Sequence, residues 1–101
     1  MFAREVPALD LSAISLCVIN DNEFLRSYME RLFGIMRVGR VVTFEDPATA
    51  RERMAEANPD IVMIDLDLAG QDGLDLVRSI RKGEVGIRND AAILVCSAFV
   101  D

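Results

Sequence analysis

The sequence predicts an α/β fold in which a parallel sheet is covered by helices on both faces. Two observations carry this prediction. Short apolar runs alternate with stretches in which apolar residues recur every three or four positions, the pattern of strand, crossover helix and next strand. The main runs also lack polar alternation and are rich in β-branched residues, as strands buried on both faces are. A third observation says where function would lie. Three of the four runs end in Asn-Asp, Asp or Ser, and open parallel sheets hold their ligands beyond the carboxyl ends of the strands.

Residues 1–13 show no clear period. They are expected to form an N-terminal extension, with at most a short helix near Leu9-Asp10-Leu11; residues 14–101 form the domain. Ser15–Ile19 is the first strand. Asn20-Asp21-Asn22 then offers a turn and a helix cap. Phe24, Leu25, Tyr28, Met29, Leu32 and Phe33 form one apolar stripe of a first helix, and Gly34 suits its C-cap. Val38–Phe44 is a shorter, more polar strand, expected near a sheet edge. Asp46-Pro47 caps and starts a second helix, which Asn58-Pro59-Asp60 ends. Ile61–Ile64 is the third strand, closed by Asp65. Asp72-Gly73 opens a third helix, with Asp72 as its cap, and Arg78, Arg81 and Lys82 form a solvated basic end that suits the helix dipole. Residues 83–90 are a loop, and Ala91–Cys96 is the fourth strand, followed by Ser97-Ala98.

At 101 residues the chain is one domain at most. Its net charge of -6 argues against a nucleic-acid-binding surface within it. No apolar run reaches the length of a membrane span, and no signal-peptide pattern opens the chain. The chain contains no His, which removes His-based acid–base chemistry, Ser-His and Cys-His nucleophile pairs, and most zinc sites. Cys17 and Cys96 fall inside apolar runs and read as small buried hydrophobes of a reducing compartment.

What remains is oxygen chemistry at the strand ends. Asp21 follows the first strand, Asp65 closes the third with Asp67 two residues on, and Ser97 follows the fourth. Two carboxylates held close in a partly dry site need either a proton or a cation between them. With no His present, a hard cation fits, and Mg²⁺ takes one or two protein carboxylates plus waters and phosphate oxygens. A carboxylate beside Mg²⁺ is a feasible nucleophile towards phosphorus. The Ser97 hydroxyl and main-chain N–H groups after the fourth strand could hold the other phosphoryl oxygens.

The ordered set Val18-Ile19-Asn20-Asp21, Ile61-Val62-Met63-Ile64-Asp65, Asp72-Gly73 and Leu94-Val95-Cys96-Ser97-Ala98 resembles the receiver domain of bacterial two-component response regulators, from about Ser15 to the last residue. The resemblance implies a flavodoxin-like, doubly wound parallel sheet of order 2-1-3-4-5. It implies that Asp65 is the phosphoacceptor, loaded from a phosphohistidine on a sensor histidine kinase or histidine phosphotransferase. Asp21, Asp65 and the backbone carbonyl of Asp67 would hold Mg²⁺, with Asn20 acting through water. Ser97 would be the switch hydroxyl and the Ala98 N–H would lie beside the phosphoryl group. It further implies a cytoplasmic signalling module that is not itself an enzyme, that switches a partner or output module, and that could form a homodimer. Three departures stand out. Asn20 replaces a usual acid, which lowers the expected Mg²⁺ affinity. Ala69 stands where Pro is common. The family's fifth strand, last helix, phosphoryl-pairing Lys and aromatic switch residue have no counterpart in these 101 residues, so one sheet face is expected to be half covered and the fourth strand to be an open edge. Two other functions compete: a receiver-like interaction module that is never phosphorylated, and a phosphatase of the haloacid dehalogenase type, whose Asp-x-Asp is matched by Asp65-Leu66-Asp67 but normally follows the first strand.

Overall fold

A computed structural model describes residues 10–96, except for the side chains of residues 66–71. The order of elements is β1 (Ser15–Ile19), α1 (Glu23–Ile35), β2 (Arg40–Phe44), α2 (Pro47–Arg53) with a 3₁₀ turn at Met54–Glu56, β3 (Ile61–Asp65), α3 (Leu66–Arg81) and β4 (Ala92–Cys96). The strands form one parallel sheet of order β2-β1-β3-β4. Register aligns Ile19 with Phe44 on one side and Ile64 on the other, and Asp65 with Cys96. The flavodoxin-like order is therefore present across all four strands, with β2 at an edge, as its polarity predicts.

The pleat divides the sheet's side chains between two faces. On one, Cys17, Ile19, Val62 and Ile64 pack with Ala50, Met54, Leu76 and Ile80 of the helical layer and with Val85 and Ile87 of the loop before β4. This is the main core. Val85 and Ile87 anchor a stretch that composition alone marks as a loop. On the other face, Leu16, Ile61, Met63 and Leu94 line an apolar cavity of about 320 Å³ together with Phe33, Met36, Val38, Leu11 and Ile14. Leu11 and Ile14, at the junction between the expected extension and the domain, thus reach the sheet. The main-chain N–H of Gly39 bonds to the Leu11 carbonyl, and a Cβ at residue 39 would collide with the carbonyl of Ser12.

Four expectations need correction. The third helix begins at Leu66 rather than after Gly73, so Asp72 lies within the helix and is not its cap. From Leu66 to Gln71 only Gly70 disfavours a helix, at about 1 kcal/mol, and Ala69 in place of Pro leaves no breaker. The first helix runs past Gly34 to a cap at Met36. There the N–H of Arg37 bonds to the Gly34 carbonyl and that of Val38 to the Phe33 carbonyl, with Arg37 at φ 64°: a Schellman turn with arginine where glycine is usual. Met36 borders the apolar cavity while remaining half exposed, and the Schellman bonds, rather than Gly34, set where the helix ends. Cys17 is buried but Cys96 is exposed, because β4 is the outermost strand among the described residues. Arg81 is not a merely solvated helix end; its guanidinium donates to the carbonyls of Asn89 and Ala91 at 2.8 and 2.7 Å and holds the approach to β4.

Candidate functional site

The sheet order brings the carboxyl ends of β2, β1 and β3 side by side. A cleft of about 160 Å³ opens there, lined by Ile19, Asn20, Asp21, Glu45, Asp46, Pro47 and Asp65. Asp65 closes the β3 strand and is 7% exposed, the one buried polar or charged side chain among the described residues. It lies at a crevice shared with Asp21, Glu45 and Asp46, so a buried carboxylate faces other acids there.

The β1 end is held in place by a compact set of bonds. The Asn20 N–H donates to the Phe44 carbonyl at 3.0 Å, and the Asn20 carbonyl accepts from the Arg26 guanidinium at 2.8 Å. The Asn20 Oδ1 accepts the Asn22 N–H at 2.8 Å, and its Nδ2 reaches Asp65 Oδ2 at 3.4 Å. The cap of α1 is Asn22, whose Oδ1 accepts the Leu25 N–H at 3.0 Å. Asp21 is therefore not the capping residue; it is exposed and lines the cleft. Asp46 caps α2 by accepting the Thr49 N–H at 2.7 Å, and this bond, with the Thr49 hydroxyl, holds its carboxyl below the usual value. Asp46 thus stays ionised at the rim.

Of the residues singled out in the sequence, the structure brings Asn20, Asp21 and Asp65 together. Asp67 lies in the first turn of α3, with its side chain outside the described residues, as are Ser97 and Ala98. The cleft also contains Glu45 and Asp46, which the sequence reading used only as a helix start. The signal for them was the strand order: if β2 neighbours β1, the acids after β2 must border the same crevice. Cys17 plays no part here; burial pushes its thiol up to about 12, which leaves it inert at neutral pH.

The donor set decides which cation this cleft suits. Among the described residues no three His, Cys, Asp or Glu side chains converge into a ligand group, so a closed all-protein cage does not fit. Asp21 and Asp65, two of the four carboxylates that line a water-accessible cleft without basic lining, do fit a hard cation that keeps part of its water shell, as Mg²⁺ does.

Comparison with known proteins agrees with the fold. The model of the response regulator receiver domain matches residues 16–101, and the chain belongs to this family of signalling domains. It is 30% identical over 70 residues to protein-glutamate methylesterase/protein-glutamine glutaminase 1 of Albidiferax ferrireducens, an alignment covering 68% of this chain and 19% of that protein. It is 29% identical over 89 residues to the corresponding protein 5 of Myxococcus xanthus, covering 87% of this chain and 25% of the relative. The chain therefore spans about a fifth to a quarter of the length of these curated relatives. Among solved structures, the signal receiver domain of the response regulator NarL from Mycobacterium tuberculosis superposes with a TM-score of 0.65 at 24% identity, over 87% of this chain and 68% of that one; this likeness supports the fold.

Proposed function

We propose that this receiver domain accepts a phosphoryl group on Asp65 from a phosphohistidine of a sensor histidine kinase or histidine phosphotransferase, and that the modified domain switches a partner or output module. The observation that carries the reading is the buried carboxylate of Asp65 at the carboxyl edge of β3, with Asp21 on the same cleft. In the reaction a carboxylate oxygen attacks phosphorus, the P–N bond to the donor imidazole breaks, and the imidazole leaves as the neutral base after taking up a proton. Asp21 and Asp65 would hold Mg²⁺, joined by the Asp67 carbonyl once the first turn of α3 opens to free it, and the cation would supply neutralisation of the charge that gathers between carboxylate and phosphoryl group. Ser97 and the Ala98 N–H receive the phosphoryl oxygens in this reading, and the protein works in the cytoplasm, where its donors are found.

Incubation with acetyl phosphate and Mg²⁺ is expected to add one phosphoryl group, seen in the intact mass. EDTA and the Asp65→Asn substitution are each expected to abolish the addition. Equal labelling of Asp65→Asn would rule out Asp65 as acceptor.

A further inference from the structure

Asn20 occupies a position where the resemblance leads one to expect an acid, and its bonds say what the amide does instead. Its Oδ1 is taken by the Asn22 N–H at 2.8 Å, a backbone donor that only an oxygen can satisfy. That bond settles which end of the amide is which, so the NH₂ end is the one directed at Asp65 Oδ2, at 3.4 Å. The main chain of residue 20 is fixed by the Phe44 carbonyl on its N–H and by Arg26 on its carbonyl, and the bond from the Asn22 N–H to Oδ1 holds the side chain on that fixed base.

We infer that Asn20 is a positioning residue for Asp65: it offers an N–H to the carboxylate where an acid would offer a ligand to the cation. The inference rests on the reading of Asp65 as a metal-binding phosphoacceptor. The partial positive charge on the Asn20 NH₂ supplies some of the stabilisation that the buried carboxylate needs without metal. The same N–H dipole opposes a cation approaching Asp65 Oδ2. The domain is thereby biased towards a metal-free ground state and requires higher Mg²⁺ than a site with an acid at residue 20.

The two roles open to Asn20 predict opposite signs. If Asn20 helped hold Mg²⁺ by accepting from a metal-bound water, removing it would weaken binding. If it competes for Asp65, removing it strengthens binding. Mg²⁺ titrations followed by ¹H–¹⁵N amide shifts, with thermal unfolding confirming each fold, decide between them. Asn20→Ala is expected to bind Mg²⁺ roughly three-fold tighter than wild type, and Asn20→Asp about ten-fold tighter or more through its added charge. Weaker binding by Asn20→Ala overturns the inference while leaving the phosphoacceptor reading intact. A second readout needs no metal: the Asn20 side-chain NH₂ resonance of the wild-type protein is expected to move upfield in Asp65→Asn, which removes the charged acceptor. If no form binds Mg²⁺, the metal-dependent reading of Asp65 falls, and the NH₂ resonance alone judges the donor assignment; a signal unmoved by Asp65→Asn overturns it.

Discussion

The two faces of the sheet are built to different standards. Towards α2 and α3, Ala50, Met54, Leu76 and Ile80 are fully enclosed, as are Cys17, Val62 and Ile64 beneath them. Towards α1, the helix has no buried residue; Phe24 is 77% and Ile35 76% exposed, and Leu94 on β4 is 50% exposed. The apolar cavity between Phe33, Met36 and the sheet belongs to this second face. Among the described residues one face is therefore a packed core and the other an apolar surface less completely covered. The difference teaches that amphipathic spacing reports which side of a helix is apolar, not how completely that side is covered.

The largest expected effect comes from the packed face. Leu76→Ala should cost about 2–5 kcal/mol, the range for an enclosed aliphatic side chain that leaves a cavity. Ile35→Ala on the open face should stay within about 0.5 kcal/mol. Urea midpoints of the two variants measure the contrast directly, and equal losses would mean that α1 is as well packed as α3.

Smaller gains are expected at the end of α1, where residue choice and backbone disagree. Gly34 lies inside the helix with open space around the position of a Cβ, so Gly34→Ala should stabilise by about 0.5–1 kcal/mol. Arg37 holds the left-handed position of the Schellman turn, which in α3 is filled by Gly83 at φ 76°. Arg37→Gly should gain a similar amount, about 0.5–1 kcal/mol. Thermal unfolding of the two variants tests whether the helix ends where the hydrogen bonds place it.

The smallest effect is at the amino edge of the sheet. Asp60 accepts the Ser15 N–H at 2.9 Å and pairs with Arg88 at 3.0 Å. The Ser15 bond foremost, then Arg88, holds its carboxyl below the usual 3.8. Because the folded value is depressed, this contribution is complete above that pH and is lost as pH falls below it. Wild type should therefore lose more stability than Asp60→Asn between about pH 5 and pH 2, read as the change in urea midpoint.

Much of this fold was legible in the sequence because its signals were local. Apolar runs located all four strands, and Asp46-Pro47 marked the start of α2 by a capping bond that forms within three residues. The errors arose where one local signal masked another. Gly34 looked like a terminator, but the Schellman bonds set the end of the helix beyond it. The stretch after Asp65 looked like a loop because Asp72-Gly73 reads as a cap before the apolar spacing of Leu74, Leu76, Val77 and Ile80, whereas α3 already begins at Leu66. At the site, Asp21 and Asp65 could be paired from strand order alone. Glu45 and Asp46 were missed although the implied order sets β2 beside β1, because Asp46 already had a local role as the cap of α2. The amide orientation of Asn20 was beyond sequence altogether, since it is set by one backbone N–H two residues away.

The central claim is that Asp65, rather than a more exposed acid of the same cleft, carries the phosphoryl group. An acyl phosphate is reduced by borohydride to an alcohol, which marks the residue that bore it. After reaction with acetyl phosphate and Mg²⁺, borohydride trapping and peptide mapping should place the mark on residue 65. A mark on Asp21, Glu45 or Asp46 instead would contradict the account.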